Sequence, residues 1–305
     1  MYAVEAVNLS KRFGKVVAVD RVSFSVKEGE IFGLLGPNGA GKTTTIRMLT
    51  GILKPDGGVA RIMGIDVYKE PVRAKSFIGV VPEEANPYPD LTVRDNLLLV
   101  GMLYGLARGE IMARMDGLLK LLGLRGVEGR KARALSKGTR QKLLIAMALI
   151  AEPKVLFLDE PTSGLDLVSA RRIRKLIRKL AENGTTVLLT THNIEEAGSI
   201  CDRVAIINRG RVIALGSPDE LKIKVGERKR LLIVLNKPLK EDELASLLGA
   251  YEYRVEGRRL TVACEDLGEV MEKVASYARS RGAKVLSVET LQPSFEEVFL
   301  ELIRR

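Results

Sequence analysis

Gly36-Pro37-Asn38-Gly39-Ala40-Gly41-Lys42-Thr43 reads as Gly, four residues, then Gly-Lys-Thr. In that spacing the glycines let backbone N–H groups turn inward around phosphate oxygens, and a following helix adds its positive N-terminal end. Lys42 is then placed to reach the outer phosphates, and the Thr43 hydroxyl to ligate Mg2+. The context agrees: Ile31 to Leu35 precedes the loop as a run apolar on both faces, and Thr43 to Thr50 follows as a helical segment stopped by Gly51. A second group is Val155-Leu156-Phe157-Leu158-Asp159-Glu160, an apolar strand ending in two acids. A parallel strand delivers its last residues to the sheet edge where a phosphate loop lies, so Asp159 is expected to hold Mg2+ through water and Glu160 to polarise the attacking water. Alone, such a strand end is as often a solvated turn; the phosphate loop in the same chain gives it meaning. His192, the only histidine, follows Val187 to Thr191 at another strand end. A lone histidine is usually structural, but this position aims it at a γ-phosphate. Leu135-Ser136-Lys137-Gly138-Thr139-Arg140-Gln141 opens an apolar helix with Ser136 as its cap. Gly138 would let a phosphate approach the backbone, although on its residues alone this segment is a helix start.

The elements that must position these groups are partly legible. Ala3 to Val7, Val16 to Val19 and Val22 to Val26 alternate apolar and polar residues and predict short antiparallel strands, with turns at Gly14-Lys15 and Glu28-Gly29. From Asp90 to Ala151 the apolar spacing is helical. Buried strands at Val155–Leu158, Val187–Leu189 and Val204–Ile207 alternate with helices, which predicts a doubly wound sheet. Ile173, Leu176, Ile177 and Leu180 make one stripe of a helix otherwise rich in Arg and Lys.

A boundary falls near Gly216 to Arg230, where Ser217-Pro218-Asp219-Glu220 starts a helix and Lys222, Lys224, Arg228, Lys229 and Arg230 follow. Beyond it the chain reads strand (231–235), helix (241–248), two strands (251–255 and 260–263), helix (267–281), strand (285–289) and a last helix (295–303). That βαββαβ order predicts a small α+β sandwich.

Composition bounds the rest. The chain has 305 residues, enough for about two domains. Its longest apolar run, Leu143 to Ala151, is nine residues, against about 20 for a membrane helix. No signal peptide is expected from Met1-Tyr2-Ala3-Val4-Glu5. Cys201 and Cys264 form no metal pattern or disulfide framework, as suits a reducing cytosol. The net charge of +11 suits phosphorylated ligands, nucleic acid or an anionic membrane surface without choosing among them.

Taken together, the motifs make residues 1 to about 225 resemble the ATP-binding subunit of ABC transporters. Leu135 to Thr139 is similar to the family's signature Leu-Ser-Gly-Gly-Gln, departing at Lys137 and Thr139, while Arg140-Gln141 keeps the usual continuation. Ser163-Gly164-Leu165-Asp166 is similar to the loop that crosses between subunits; His192 matches the switch histidine and Cys201-Asp202-Arg203-Val204 the tail after it. Phe13 matches the aromatic that stacks on adenine, usually a tyrosine; stacking does not need the hydroxyl. Forty-one residues after Lys42 the family has a glutamine that touches Mg2+ and the attacking water, and this chain reads Val81-Pro82-Glu83-Glu84. Glu83 is expected to ligate Mg2+ there with an extra negative charge, giving slower hydrolysis or a shifted metal preference. Gln292 to Leu300 is similar to the tail of ATPases from multidrug and daunorubicin-resistance-type exporters; it also reads as an amphipathic helix capped by Ser294, with Phe295, Val298, Phe299 and Leu302 on one face.

The resemblance implies an α/β P-loop NTPase over 1–225, with a RecA-like core, an antiparallel β subdomain and a helical subdomain at about 90–150, plus a C-terminal α+β accessory domain at 229–305. It implies ATP and Mg2+ as ligands. Nucleotide contacts would come from Phe13, the loop Gly36 to Thr43, Thr44, Ser136, Gly138 and Asp166. Metal contacts would come from Thr43, Asp159 and Glu83, and catalysis from Glu160, His192, Lys42 and Glu83. In the family the signature of one subunit covers the ATP of another. One loop and one signature per chain therefore imply a head-to-tail dimer, with a second copy or a related ATPase. The transport path would belong to an integral membrane permease docking near Glu83 to Leu97, which puts this chain on the cytoplasmic face of the membrane. Nucleic acid is not expected, since the basic helix Arg171 to Lys179 has a regular apolar stripe and reads as a solvated face. Two other readings stand beside this one. A soluble ABC-type ATPase acting on DNA or ribosomes usually carries coiled coils or tandem ATPase domains. A regulatory module that binds ATP with little turnover is kept open by Glu83.

Overall fold

A computed structural model describes the whole chain except residues 226–228, 265, 292–293 and 305. It divides into two compact units, Met1–Pro218 and Asp219–Arg305.

The first unit opens with a hairpin of β1 (Tyr2–Phe13) and β2 (Val16–Lys27). Val16 to Val19 and Val22 to Val26, expected as separate strands, are one strand. Arg21 and, on β1, Asn8 take positive φ of 51° and 50°. The ladder shifts register around Asn8 instead of ending. Side chains make good the lost rungs: Asn8 N donates to Ser23 Oγ at 2.8 Å and Arg21 N to Ser10 Oγ at 3.0 Å. After β3 (Ile31–Leu35) and α1 (Lys42–Leu49), the short strands β4 (Gly57–Ile62) and β5 (Ile65–Asp66) complete an antiparallel sheet of order β2-β1-β4-β5.

Next come α2 (Pro71–Lys75), β6 (Ile78–Val81) and the helices α3 (Val93–Leu103), α4 (Arg108–Leu122) and α5 (Lys137–Leu149), which supply the helical pattern expected from Asp90 onward. Then β7 (Val155–Asp159), α6 (Leu167–Glu182), β8 (Thr186–Thr191), α7 (Ile194–Ile200), β9 (Arg203–Asn208) and β10 (Arg211–Gly216) finish a six-stranded sheet of order β10-β9-β3-β8-β7-β6. Its strands run parallel except β10. Every residue of β3, β7 and β8 is buried, as expected of central strands covered on both faces. One apolar core joins the antiparallel sheet, α1 and one face of the parallel sheet. Phe24 and Phe32 stack there with centroids 5.0 Å apart.

The second unit begins in α8 (Pro218–Val225) and contains β11 (Lys229–Leu235), α9 (Glu241–Leu248), β12 (Glu252–Glu256), β13 (Arg259–Cys264), α10 (Leu267–Ser280), β14 (Val285–Leu291) and α11 (Phe295–Arg304). This is the predicted βαββαβ order, in an antiparallel sheet β12-β13-β11-β14 whose apolar core packs under α9 and α10. Of the tail motif, Gln292 and Pro293 lie outside the described residues, as does Arg228 of the basic stretch. Ser294 and Glu297 bond reciprocally at the start of α11, and Phe295, Val298 and Phe299 are buried.

Candidate nucleotide site

The loop between β3 and α1 needs glycine at two positions, Gly36 and Gly41. A Cβ on Gly36 would lie 2.2 Å from the Ile207 carbonyl oxygen. Gly41 has φ +104°, and a Cβ there would lie 2.5 Å from the Ala18 oxygen. The turn between β9 and β10 closes the packing, with Gly210 N donating to Ala40 O at 3.0 Å and Asp20 N to Gly210 O at 2.8 Å. The loop is therefore wedged between β2 and the β9–β10 turn, while Pro37, Asn38 and Gly39 stay exposed. Lys42 is buried inside it: Nζ donates to Gly36 O at 2.7 Å and Pro37 O at 3.3 Å and lies 3.4 Å from Glu160 Oε1. Thr44 follows Thr43 in the first turn of α1, half-buried.

The ends of β7 and β8 bring the two acids and the histidine to this loop. Asp159 Oδ1 accepts from Thr43 Oγ1 at 3.2 Å and from Thr190 Oγ1. Glu160 leaves β7 in a left-handed conformation (φ 51°), its N–H donating to Thr190 O at 3.2 Å and Thr190 Oγ1 at 3.0 Å. Glu160 is 8% exposed, and His192 Nδ1 lies 2.9 Å from its Oε2. The carboxylate is thus held between Lys42 on one side and a half-exposed imidazole on the other. Thr190, which sequence reasoning did not single out, fixes both acids at once; its only signal is a hydroxyl two residues before the histidine on a fully buried strand.

The remaining expected residues lie around this centre. Phe13 stands at the end of β1, half its surface exposed, with Lys11 Nζ 5.9 Å from its ring centroid. Glu83 follows β6 and shares a cavity of about 360 Å³ with Glu160, Lys137, Arg140, Gln141 and Ser163. Ser136 caps α5, its Oγ accepting from Thr139 N at 3.3 Å, and Gly138 faces Ser169, whose Oγ lies 2.8 Å from where a Cβ would sit. Among the described residues, no hydrogen bond or ion pair joins Ser136 or Gly138 to the loop 36–43. Asp166 caps α6 through Ser169 N at 2.9 Å, and its bonds to Ser169 hold its carboxyl below the usual range. In α6 the stripe Ile173, Leu176, Ile177 and Leu180 is buried as predicted, but Arg174, read with the solvated face, is buried too and pairs with Glu195 at 3.3 Å. Glu196, buried in α7, was also missed.

No cluster of three metal-ligating side chains occurs among the described residues. Thr43 and Asp159 nevertheless suit Mg2+, which takes one or two protein oxygens and fills its shell with substrate phosphates and water.

Comparison with known proteins agrees with this geometry. Residues 19–163 match the family model "ABC transporter", and residues 216–303 match "ATP-binding protein DrrA1-3-like, C-terminal domain". The daunorubicin/doxorubicin resistance ATP-binding protein DrrA of Streptomyces peucetius is 38% identical over 98% of this chain and 92% of its own length. The linearmycin resistance ATP-binding protein LnrL of Bacillus subtilis is 36% identical over 99% of this chain and 98% of its own. Among solved structures, the dimeric ATP-binding cassette MJ0796, in a post-hydrolysis state bound to ADP and Pi, superposes with a TM-score of 0.63 at 29% identity, over 70% of this chain and 98% of that one. A phosphate loop, paired acids and a histidine on one sheet edge, in a chain matched nearly end to end by such relatives, make this protein a member of the ABC transporter family, an ATP-hydrolysing ATP-binding subunit.

Proposed function

We propose that this chain energises an exporter: it binds MgATP on the loop 36–43, pairs head to tail with a second copy and drives a membrane permease. The observation that carries the reading is the Glu160 carboxylate, buried beside Lys42 and 2.9 Å from His192 Nδ1 at the edge of the phosphate loop. Phosphoryl transfer needs positioning and charge stabilisation more than covalent help. Lys42, now bonded to the carbonyls of Gly36 and Pro37, is the cation nearest the place of an outer phosphate. Glu160 orients the attacking water and takes its proton. His192 holds the second carboxylate oxygen and senses the γ-phosphate. Phe13 stacks on the base. Mg2+, held by Thr43 and Asp159, neutralises phosphate charge when bound. Ser136 and Gly138 act on the partner's nucleotide.

Export is supported by the nearly full-length relatives named for drug resistance. The permease is expected at a groove of about 250 Å³ lined by Val81, Pro82, Tyr88, Val100, Tyr104 and Met147. Exposed Met102 and Leu103 flank it in sequence. No helix of the described residues is long and apolar enough to cross a membrane, so the chain would sit peripherally on that partner's cytoplasmic side. Residues 229–305 we read as an accessory domain.

The test is Glu160→Gln. ATP binding should persist, turnover should fall roughly 10²- to 10⁴-fold, and MgATP should trap a dimer visible by sedimentation. Surviving turnover would remove Glu160 as the base.

A further inference from the structure

Glu196 is fully buried, yet the chemistry above does not use it. It occupies the third position of α7, after the cap Asn193, where a glutamate ordinarily reaches back to the cap's own N–H. Here that N–H is already taken: Asn193 N donates to Thr191 Oγ1 at 3.0 Å. The Glu196 carboxylate turns instead to a residue 34 positions away, Oε1 accepting from Thr162 Oγ1 at 2.8 Å. Its other oxygen, Oε2, and the Arg174 Nε–H are the buried polar side-chain atoms without a hydrogen-bond partner among the described residues. One is an acceptor and the other a donor, and the Arg174 charge acts on this carboxyl. Burial is the largest influence on it and pushes it above the usual carboxylate range.

What the carboxylate grips matters. Glu160-Pro161-Thr162 is the link between the catalytic acid and the loop Ser163 to Asp166. Its first residue is bonded to Thr190 and His192 and its last to Glu196, with Pro161 buried between. Past Thr162 the chain emerges, with Ser163, Gly164 and Asp166 exposed or half-exposed. Glu196 is therefore the last buried anchor before that loop, and it stands four residues after His192, on the helix the histidine turn leads into.

We propose that Glu196 is a positioning residue that couples the histidine end of β8 to the crossing loop: through Thr162, a shift of the His192 turn with nucleotide state shifts the loop that faces the second subunit. A carboxylate spent on local capping would leave loop and histidine free to move separately. The inference rests on the ATPase reading, so its test has an arm that needs no turnover.

That arm is amide exchange over residues 161–167 in the nucleotide-free chain. Thr162→Val, nearly isosteric but without the donor, should raise exchange there roughly 5-fold and leave β3 and β8 unchanged. Thr162→Ser, which keeps the donor, and Glu196→Gln, which keeps an acceptor, should each retain most of the parent's protection. In the second arm Thr162→Val should lower kcat for MgATP roughly 10- to 100-fold with KM little changed, and Thr162→Ser should recover most of it. Parent-like exchange in Thr162→Val, or exchange raised evenly across the first unit, would overturn the proposal. So would a kcat loss that Thr162→Ser fails to recover. A parent chain that hydrolyses no ATP would sink the ATPase reading alone, because the exchange arm still decides this one.

Discussion

The side chains that could do chemistry are mostly visible before any fold is known, because Lys42 closes a glycine-rich loop and Asp159, Glu160 and His192 follow short buried apolar runs. Lys42, Asp159, Glu160 and His192 meet as expected. Glu83 is the informative variation. It shares a cavity with Glu160, so two carboxylates line one space. On the proposed ATPase reading, negative charge there adds to the phosphate charge that Lys42 and bound metal must offset. Glu83→Gln should therefore raise the steady-state Mg2+-ATPase rate; an unchanged rate would show that the second carboxylate is not felt at the γ-phosphate. The residues that sequence reasoning missed are those whose roles depend on distant neighbours. Thr190 reads as one more strand residue until it is found holding both acids. Arg174 reads as one more surface cation of a basic helix, and Glu196 as an ordinary helix-start acid, until burial and Thr162 give them partners.

At the scale of elements, the central sheet needs small residues at tight points, and Gly33 is one of them. Gly33 lies in the middle of β3, and a Cβ added there would come 2.7 Å from Cys201 Sγ. Gly33→Ala should cost roughly 1–3 kcal/mol by overpacking, read as a lowered urea midpoint, and Cys201→Ala in the same chain should recover part of the loss. The buried strands β3, β7, β8 and β9 were legible because a short run apolar on both faces suits little besides a strand covered by helices on each side. The antiparallel strands β1 and β2 were read too short, since a bulge at Asn8 or Arg21 breaks the period-two alternation without ending the strand. Segments such as β6, four residues including Gly79, and α7, seven residues, carry too few side chains for a period to emerge. The second unit is legible almost element by element, because β11, β13, α9 and α10 each turn apolar residues into one core.

For the whole molecule, the decisive expectation is that a working site is shared. A chain carrying Lys42→Ala and a chain carrying Ser136→Arg should each be nearly inactive alone. Mixed, they form some dimers in which the intact Lys42 of one faces the intact Ser136 of the other, so turnover should reappear. If mixing restores nothing while both variants still dimerise, the site is not composite in this way. A solved cassette of this fold is dimeric and bound to ADP and Pi. Sequence could imply the pairing only through the count of one loop and one signature per chain.

The chain has two cysteines, and they fall one in each unit: Cys201 beneath β3 and Cys264 at the end of β13. Both are buried, and burial raises the Cys201 thiol far above its usual range, so little thiolate forms in the folded state even in mildly alkaline buffer. An alkylating reagent can reach either sulfur only when the surrounding layer comes apart. Each half of the protein thus contains its own stopwatch: at mildly alkaline pH the pace at which iodoacetamide modifies Cys201 times the breathing of the ATPase sheet, and the pace at Cys264 times that of the appended unit. Mass spectrometry of the two tryptic peptides should show two separate clocks, with nucleotide slowing the first.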